Sequence, residues 1–181
     1  MKKVIVITGT PATGKTTVSE KLAKALKNSQ LIKANDIVKK KRLFTSYAKD
    51  GSMIVKMGPL HKELARIIGS SRADFVIVEG HLLCDMKLRG ATAVVIREHL
   101  KTIRERMRKR GYAEHKINDN IVAEATNYCG IRSAANYRDV YEFFSKDAAA
   151  KIASIARGKR VRKESIELLE ELNQYLGNGA I

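Results

Sequence analysis

The stretch GTPATGKTT, residues 9–17, has the residue types and spacing that bind a nucleotide phosphate. It contains the complete pattern G-x-x-x-x-G-K-[ST] and follows the apolar run at residues 4–8, so it stands between a predicted strand and a predicted helix. The glycines allow backbone N–H groups to close around a phosphate, at a helix N-terminus whose dipole favours anions. The pattern therefore predicts a site for a nucleoside triphosphate.

The side chains of this loop have separate expected roles. Lys15 supplies a positive charge to the β- and γ-phosphates, and the Thr16 hydroxyl is placed to bind Mg²⁺. Ala12 stands where glycine is common in such loops, so a positive φ angle there would strain the backbone. The expected phosphate-binding residues are Gly9, Pro11, Ala12, Thr13, Gly14, Lys15, Thr16 and Thr17.

Three more polar residues follow predicted strands. Glu79 and His81 come after the buried run at residues 75–78, where the carboxylate can hold Mg²⁺ through water and the imidazole can orient water or an acceptor. Asp36 follows a short predicted strand at residues 31–34 and is either near the metal or the cap of a helix. The metal-binding candidates are therefore Thr16, Asp36 and Glu79.

A basic segment at residues 97–116 holds eight lysines and arginines against three acids. Apolar residues within it recur at helical spacing, and on such a helix Arg106 and Arg110 stand four residues apart on one side. Two guanidinium groups so placed can brace the oxygens of a transferring phosphoryl group. An RNA-binding patch and an ordinary solvated helix end are the alternatives for this segment.

The order of elements indicates how these residues are positioned. Apolar strands alternate with helices, which is typical of an α/β fold with a central parallel sheet and an active edge at the carboxyl ends of its strands. The segment at residues 35–69 shows no clear strand and is predicted to be an insertion over that edge. The predicted strands are residues 4–8, 31–34, 75–78, 91–96 and 140–144, and the last two predicted helices are residues 147–156 and 164–176.

The net charge and composition indicate what kind of partner the chain binds. The net charge of +16 indicates anionic partners such as nucleotides or nucleic acid, although a lysine-rich solvated surface is the plain alternative. The basic cluster at residues 157–163 fits RNA contact or a solvated turn equally well. No apolar run approaches the roughly 18 residues that span a bilayer, so no membrane association is expected. Cys84 and Cys129 lack any CxxC spacing and are expected to be free thiols in the cytosol.

Three segments together resemble the adenylate kinase isoenzyme six family, whose members are small NTPases of archaea and eukaryotic nuclei linked to maturation of the small ribosomal subunit. They are GTPATGKTT, the EGH after the strand at residues 75–78, and the run RGYAEHKINDNIVAE at residues 110–124. The phosphate loop is shared by many families, whereas the last run is far more specific.

This resemblance implies a P-loop NTPase sandwich of three layers, similar to nucleoside monophosphate kinases, in a single domain at residues 1–181. Residues 9–17 would bind ATP, residues 35–69 would bind the monophosphate, and residues 110–117 would form a short lid. Arg106, Arg110 and Lys116 would contact phosphates, and Glu79 with His81 would match the acid-x-His motif needed for hydrolysis. The chain departs from the family in having Glu where Asp is usual, and in having few carboxylates in the insertion.

Three functions fit these residues. The first is Mg²⁺-dependent transfer of the γ-phosphoryl group of ATP to AMP or a related monophosphate, with Lys15, Glu79, His81, Arg106 and Arg110 as the catalytic set. The second is an ATP-driven assembly factor that binds a small-subunit ribosomal protein or rRNA, in the cytoplasm or, in a eukaryote, the nucleus. The third, a kinase for a small molecule such as shikimate or a nucleoside, fits the phosphate loop but not the RGY…DNI run.

Overall fold

A computed structural model describes residues 2–48 and 51–177. Five parallel strands form the central sheet in the order β2-β5-β1-β6-β7, and a separate antiparallel pair joins β3 to β4. The strands are β1 (Lys3–Thr8), β2 (Ser29–Lys33), β3 (Phe44–Tyr47), β4 (Met53–Val55), β5 (Phe75–Glu79), β6 (Ala91–Arg97) and β7 (Asp139–Phe144). The helices are α1 (Lys15–Ala25), α2 (Ala34–Lys40), α3 (Met57–Ser70), α4 (Leu100–Lys109), α5 (Glu114–Ala125), α6 (Tyr128–Asn136), α7 (Ser145–Ala156) and α8 (Leu169–Gly177), with a short 3₁₀ helix at His81–Asp85.

Alternate residues of the central strands pack on opposite faces of the sheet. Val6 of β1 and Val78 of β5 pack with α2 and α3 on one face, while Ile7 and Ile77 pack with α1 and α7 on the other. Because both faces are covered, the strands are apolar throughout rather than alternately polar, as in other buried parallel sheets. The predicted α/β fold of three layers with a central parallel sheet is thus confirmed.

The prediction that residues 35–69 contain no strand is wrong. The β3–β4 hairpin lies within this insertion, and α3 completes it. Neither strand is fully buried, because each pairs with a single neighbour and one side faces the cleft, so the long apolar run that marks a buried strand is missing. The expected helix cap at Asp36 is also wrong, since α2 begins at Ala34 and Asp36 lies in its first turn.

Two helices also differ from the sequence prediction. Helix α6 was not anticipated, because a turn at Thr126 and Asn127 separates it from α5 and its sequence is rich in small residues. The last helix starts at Leu169 rather than residue 164, since the preceding segment runs without regular structure while it buries Ile166 and Leu168 against α4 and α5. Within residues 2–48 and 51–177, no helix has the length and apolar character needed to cross a bilayer.

Candidate active site

The phosphate loop leaves the carboxyl end of β1 and turns into α1 through three residues with positive φ. These are Gly9 (136°), Ala12 (69°) and Gly14 (95°). A Cβ atom on Gly9 would collide with the carbonyl oxygen of Ile96 on the neighbouring strand, so glycine is required there for steric reasons as well. Ala12 adopts the strained conformation that its place in the loop led us to expect, and its methyl group packs against α4 and α5.

Lys15 is held in the loop as a buried ammonium group. Its side chain is only 7% exposed, and its Nζ donates a 2.8 Å hydrogen bond to the carbonyl oxygen of Thr10. Burial lowers the pKa of Lys15, and the carboxylate of Glu79 opposes that shift. A buried cation with one carbonyl partner is a ready acceptor of anionic phosphate oxygens.

Arg106 contacts the loop from outside the cleft. Its guanidinium donates to the carbonyl oxygen of Ala12 at 3.0 Å and pairs with Glu98 at the same distance. Glu98 also accepts a 2.7 Å hydrogen bond from Ser145 at the start of α7. In this structure Arg106 therefore supports the strained part of the loop, whereas the sequence prediction had it on phosphates.

Glu79 and His81 stand at the carboxyl end of β5, beside the loop. Glu79 is 8% exposed, and the nearby Thr16 side chain favours its charged form. Burial raises the pKa of Glu79, while the nearby Lys15 and Lys33 oppose the shift. A carboxylate and a hydroxyl in contact next to a phosphate loop are the oxygen ligands that suit Mg²⁺, so the predicted pair Thr16 and Glu79 fits the ion. Asp36 is exposed and does not line the cleft.

The imidazole of His81 is neutral at physiological pH. Burial, with the positive charges of Lys15 and Lys116, lowers the pKa of His81 from 6.5 to about 4. A neutral imidazole can accept or donate a hydrogen bond to water or a phosphate hydroxyl, but it supplies no positive charge. The geometry therefore favours an orienting role over an electrostatic one.

The shifted pKa of His81 predicts how stability depends on pH. Since the unfolded chain binds a proton near pH 6.5 and the folded chain only near pH 4, the free energy of unfolding should fall as the pH drops through this window. The predicted loss is about 3 kcal/mol in all. His81→Asn should remove most of this slope in urea titrations between pH 7 and pH 4. Exposed His115→Asn is the matched control, and an unchanged slope in His81→Asn would contradict the assignment.

One large cleft brings these elements together. It has a volume of about 1670 Å³, above the 300–1000 Å³ typical of a site for one small ligand. Its lining includes the predicted residues Gly9, Pro11, Ala12, Gly14, Lys15, Thr16, Thr17, Glu79, His81, Arg110 and Lys116. Three predicted residues do not line it. They are Arg106, Asp36 and the fully buried Thr13, whose hydroxyl donates to the carbonyl oxygen of Thr10 at 2.9 Å.

The insertion forms the wall opposite the phosphate loop. It contributes the cations Lys39 and Arg42 together with an apolar surface. The rings of Phe44 and Tyr47 lie 5.3 Å apart and tilted by 59°, and both border the cleft. This wall therefore offers positive charge and aromatic contact area to a ligand that faces the loop. Its apolar members are Phe44, Tyr47, Met53, Val55 and Met57.

The third wall is the turn that joins α4 to α5. Arg110 ends α4, Gly111 has a φ angle of 74°, and α5 begins at Glu114. Arg108 closes this turn through a 2.7 Å ion pair with Glu114 on the protein surface. The ammonium of Lys116 lies 5.3 Å from the centre of the Tyr112 ring.

The comparisons with known proteins agree with this architecture. A family model described as an AAA domain matches residues 5–127, about two thirds of the chain. The chain belongs to this family.

Proteins described as "Putative adenylate kinase" are similar to the AAA-domain chain. The one from Methanocaldococcus jannaschii is 30% identical over 178 residues, which is 95% of this chain and 96% of that protein. The one from Pyrococcus furiosus is 32% identical over 143 residues, 77% of this chain and 73% of that protein.

Solved structures show the same fold at low identity. Shikimate kinase from Acinetobacter baumannii superposes with a TM-score of 0.60 at 14% identity, covering 90% of this chain and 97% of that one. The tunicamycin resistance protein of Deinococcus radiodurans gives 0.61 at 14% identity, with 91% and 100% covered. The family match, the relatives and the shared fold identify this AAA-domain chain as a kinase-like phosphotransferase of the P-loop class.

Sequence reasoning missed a buried ion cluster behind the loop of this kinase. Arg97, at the end of β6, is 1% exposed and bonds to the carboxylates of Glu124 at 2.9 Å and Glu142 at 2.7 Å. It also donates to the carbonyl oxygen of Glu124 at 2.8 Å. The signal was present, because Glu124 shares a helical face with Ile117 and Ile121, and a carboxylate on a buried face requires a cation.

A second cluster missed from the sequence lies on the cleft wall formed by the 3₁₀ helix and α6. Arg132 donates to the Asp85 carboxylate at 2.6 Å, and the hydroxyl of Tyr128 donates to the same oxygen at 3.2 Å. All three residues line the cleft. Nothing in the local sequence links residue 85 to residues 128–132, since the contact depends on how α6 packs.

Proposed function

We propose that this chain is a Mg²⁺-dependent nucleoside monophosphate kinase that converts ATP and AMP to two ADP, with ATP hydrolysis as a secondary activity. The observation that carries the proposal is the single cleft shared by the phosphate loop, the Glu79–His81 strand end, the insertion and the α4–α5 turn. Its volume exceeds that of a site for one small ligand, so it accommodates a donor and an acceptor together. The relatives described as adenylate kinases support the choice of nucleotide.

The donor phosphates belong at the phosphate loop. Backbone N–H groups of the loop and the N-terminus of α1 face the β-phosphate, and Lys15 reaches the β- and γ-oxygens. Thr16 and Glu79 would hold Mg²⁺, which when bound neutralises charge on the phosphates. Arg110 and Lys116 approach from the turn, so the transferring group is flanked by cations on two sides.

The acceptor belongs against the insertion. Lys39 and Arg42 supply positive charge for its phosphate, and the Phe44 and Tyr47 rings offer a surface for its base. In the transfer step an oxygen of the acceptor phosphate bonds to the γ-phosphorus, and the bond from that phosphorus to the β–γ bridging oxygen breaks. Because the acceptor is already an anion, the step needs no general base.

Closure of the α4–α5 turn over the cleft would bring Arg110 and Lys116 to the transferring group and exclude water. Residues 110–117 thus form the proposed lid, with Gly111 as its flexible point. When water rather than an acceptor occupies the cleft, the neutral imidazole of His81 can orient that water toward the γ-phosphorus. Hydrolysis would then proceed at the same site.

Arg110 and Lys109 offer a matched pair for testing the turn. Both are exposed cations at the end of α4, but only Arg110 lines the cleft. Arg110→Met should lower kcat for phosphoryl transfer about 10²-fold, because one donor to the developing charge is lost, whereas Lys109→Met should stay within about 2-fold of the parent. Steady-state kinetics with ATP and AMP decide this. Equal losses in both variants would show only a general charge effect.

A bisubstrate analogue tests the shared cleft itself. Diadenosine pentaphosphate links two adenosines through five phosphates and can occupy donor and acceptor positions at once. Titration calorimetry should find one molecule bound per chain, at least about 10²-fold more tightly than ATP or AMP alone, because the second half binds without a second loss of translational freedom. No binding, or two molecules bound per chain at ATP-like affinity, would refute a shared cleft.

A second candidate function is an ATP-driven assembly factor that acts on a small-subunit ribosomal protein or rRNA. The observation that favours it is a basic surface at the amino ends of the central strands, away from the cleft. Lys3 donates to the carbonyl oxygen of Ala156. Arg157 donates to the carbonyl oxygen of Ala25, and this bond joins the carboxyl ends of α1 and α7. The exposed cations of residues 24–27 and 157–160 are thereby brought together.

RNA binding separates this candidate from the kinase alone. Filter binding of a structured ribosomal RNA fragment should weaken with rising salt, and more than 10-fold, roughly, in Lys159→Glu/Arg160→Glu, while kinase activity stays at the parent value. Lys62→Glu on α3 is the matched surface control. Equal RNA binding by all three proteins would remove the observation on which this candidate rests.

A further inference from the structure

Two thiols lie together in the wall of the cleft. Cys84 belongs to the 3₁₀ helix that follows β5, and Cys129 belongs to the first turn of α6. They pack together in one small cluster with Val95, and both are free thiols. Cys84 is 1% exposed and Cys129 is 7% exposed, and the surface that they show faces the cleft.

The surroundings of the two sulfur atoms differ. Cys84 donates to the carbonyl oxygen of His81 at 3.3 Å, and burial with the neighbouring Cys129 raises the pKa of its thiol. The neighbouring Cys84 thiol and the positive charge of Lys15 lower the pKa of Cys129, and burial opposes that shift. The Thr10 hydroxyl, buried and otherwise without a partner among the described residues, lies against the Cys129 sulfur.

We propose that Cys84 and Cys129 form an oxidation site in the nucleotide cleft, where a peroxide attacked by Cys129 leads to a reversible disulfide with Cys84. Two thiols that pack in one cluster from different elements can be cross-linked, whereas a single buried cysteine has no partner. Cys129 is the attacking thiol because it is the more exposed of the two and lies beside the ammonium of Lys15, which stabilises a thiolate.

The chemistry balances with hydrogen peroxide as the oxidant. The Cys129 thiolate attacks one peroxide oxygen, the O–O bond breaks, and with one proton taken up the products are a sulfenic acid and water. The Cys84 thiol then attacks the sulfenic sulfur, forms the S–S bond and releases the hydroxyl group as a second water. Two thiols and one peroxide thus give one disulfide and two waters, and a dithiol reductant reverses the change.

The cross-link would restrain two elements that border the phosphate loop. The 3₁₀ helix begins at His81, and α6 follows the helix α5 that carries Lys116. A disulfide would join these two walls beside Lys15 and hold the cleft in one arrangement, whereas closure around nucleotide requires adjustment. The effect on turnover rests on the proposed kinase function, but formation of the disulfide does not.

Mass spectrometry of the intact full-length chain is the first measurement. Brief treatment with hydrogen peroxide should lower the mass by two hydrogens and remove both thiols that react with a disulfide reagent in denaturant, and dithiothreitol should restore them. Cys84→Ser should instead stop at a Cys129 sulfenic acid, trapped by dimedone, and Cys129→Ala should remain unmodified at the same dose. A parent chain that gains oxygen, or stays unchanged, would overturn the proposal.

Nucleotide binding and turnover are then measured on the same samples. The parent should lose more than half of its binding of a fluorescent ATP analogue and of its phosphoryl transfer, in proportion to disulfide formed, and regain both with dithiothreitol. Each variant is compared with its own reduced form, so any loss caused by misfolding of the variant affects both samples equally. ATP present during oxidation should slow the reaction several-fold by covering the cleft. Full disulfide with unchanged nucleotide binding would overturn the inhibitory effect, and a disulfide in a chain without kinase activity would refute only the proposed function.

Discussion

Replacement of Lys15 with methionine should lower phosphoryl transfer by about 10³-fold, because it removes the loop cation proposed to bind the β- and γ-phosphates. The same change should not destabilise the fold. Lys15 is 7% exposed and burial lowers its pKa, so the ammonium carries a desolvation cost that methionine, of similar length, does not. The variant should therefore lose activity without losing stability, and its Tm should be equal to or above that of the parent.

Kinetic assays and thermal denaturation on the same preparation measure the two effects. Lys24→Met, on the exposed side of the same helix, is the matched control and should keep full activity. A Lys15→Met variant that retains transfer within about 10-fold of the parent would place the reaction elsewhere. A Tm well below that of the parent would instead show that Lys15 is mainly structural.

Arg97→Met should cost about 3–5 kcal/mol in the free energy of unfolding, since it leaves the buried carboxylate of Glu124 without its cation. Glu124 is 2% exposed and accepts from both Arg97 and the backbone N–H of Glu98. Loss of the pair should loosen the junction between β6 and the carboxyl end of α5, at the end of these two helices opposite the α4–α5 turn. The effect is large because the uncompensated charge stays buried, whereas most surface ion pairs in this chain contribute little.

A double-mutant cycle with Glu124→Gln separates this charge effect from simple loss of packing. The double variant should be less destabilised than the sum of the two single variants by at least about 1 kcal/mol, because the neutral amide no longer requires a cation. Urea unfolding at pH 7 measures all four proteins. Strict additivity, or a cost below about 1 kcal/mol for Arg97→Met, would show that the cluster does not stabilise the fold as described.

The phosphate loop was predictable because its function depends on local backbone geometry. Gly9 and Gly14 adopt positive φ angles within six residues of the end of the first strand, and the pattern that encodes them is contiguous. Ala12 stands where glycine is usual in this pattern. It has a positive φ angle, so its backbone is strained. The buried strands were predictable for a similar reason, as each is a short apolar run with both faces covered.

Contacts between distant segments were not predictable in the same way. Arg106 and Arg110 share a helix side by spacing, which predicted phosphate contacts for both, yet in the structure Arg106 pairs with Glu98 and the Ala12 carbonyl and does not line the cleft. The contact of Cys84 with Cys129 depends on how α6 packs against the 3₁₀ helix, which the local sequence around either residue does not specify. The β3–β4 hairpin was not predicted for a related reason. Neither of its strands is fully buried, so neither has the continuous apolar run of a buried strand.

The fate of the γ-phosphoryl group tests the central proposal most directly. ATP labelled with ³²P at the γ-position is incubated with the purified chain, Mg²⁺ and AMP, and the products are separated by thin-layer chromatography. A monophosphate kinase should place the label in the β-position of ADP, only when AMP is present, with little orthophosphate. Label that appears solely as orthophosphate at the same rate with and without AMP would contradict a monophosphate kinase and leave hydrolysis as the activity of the cleft.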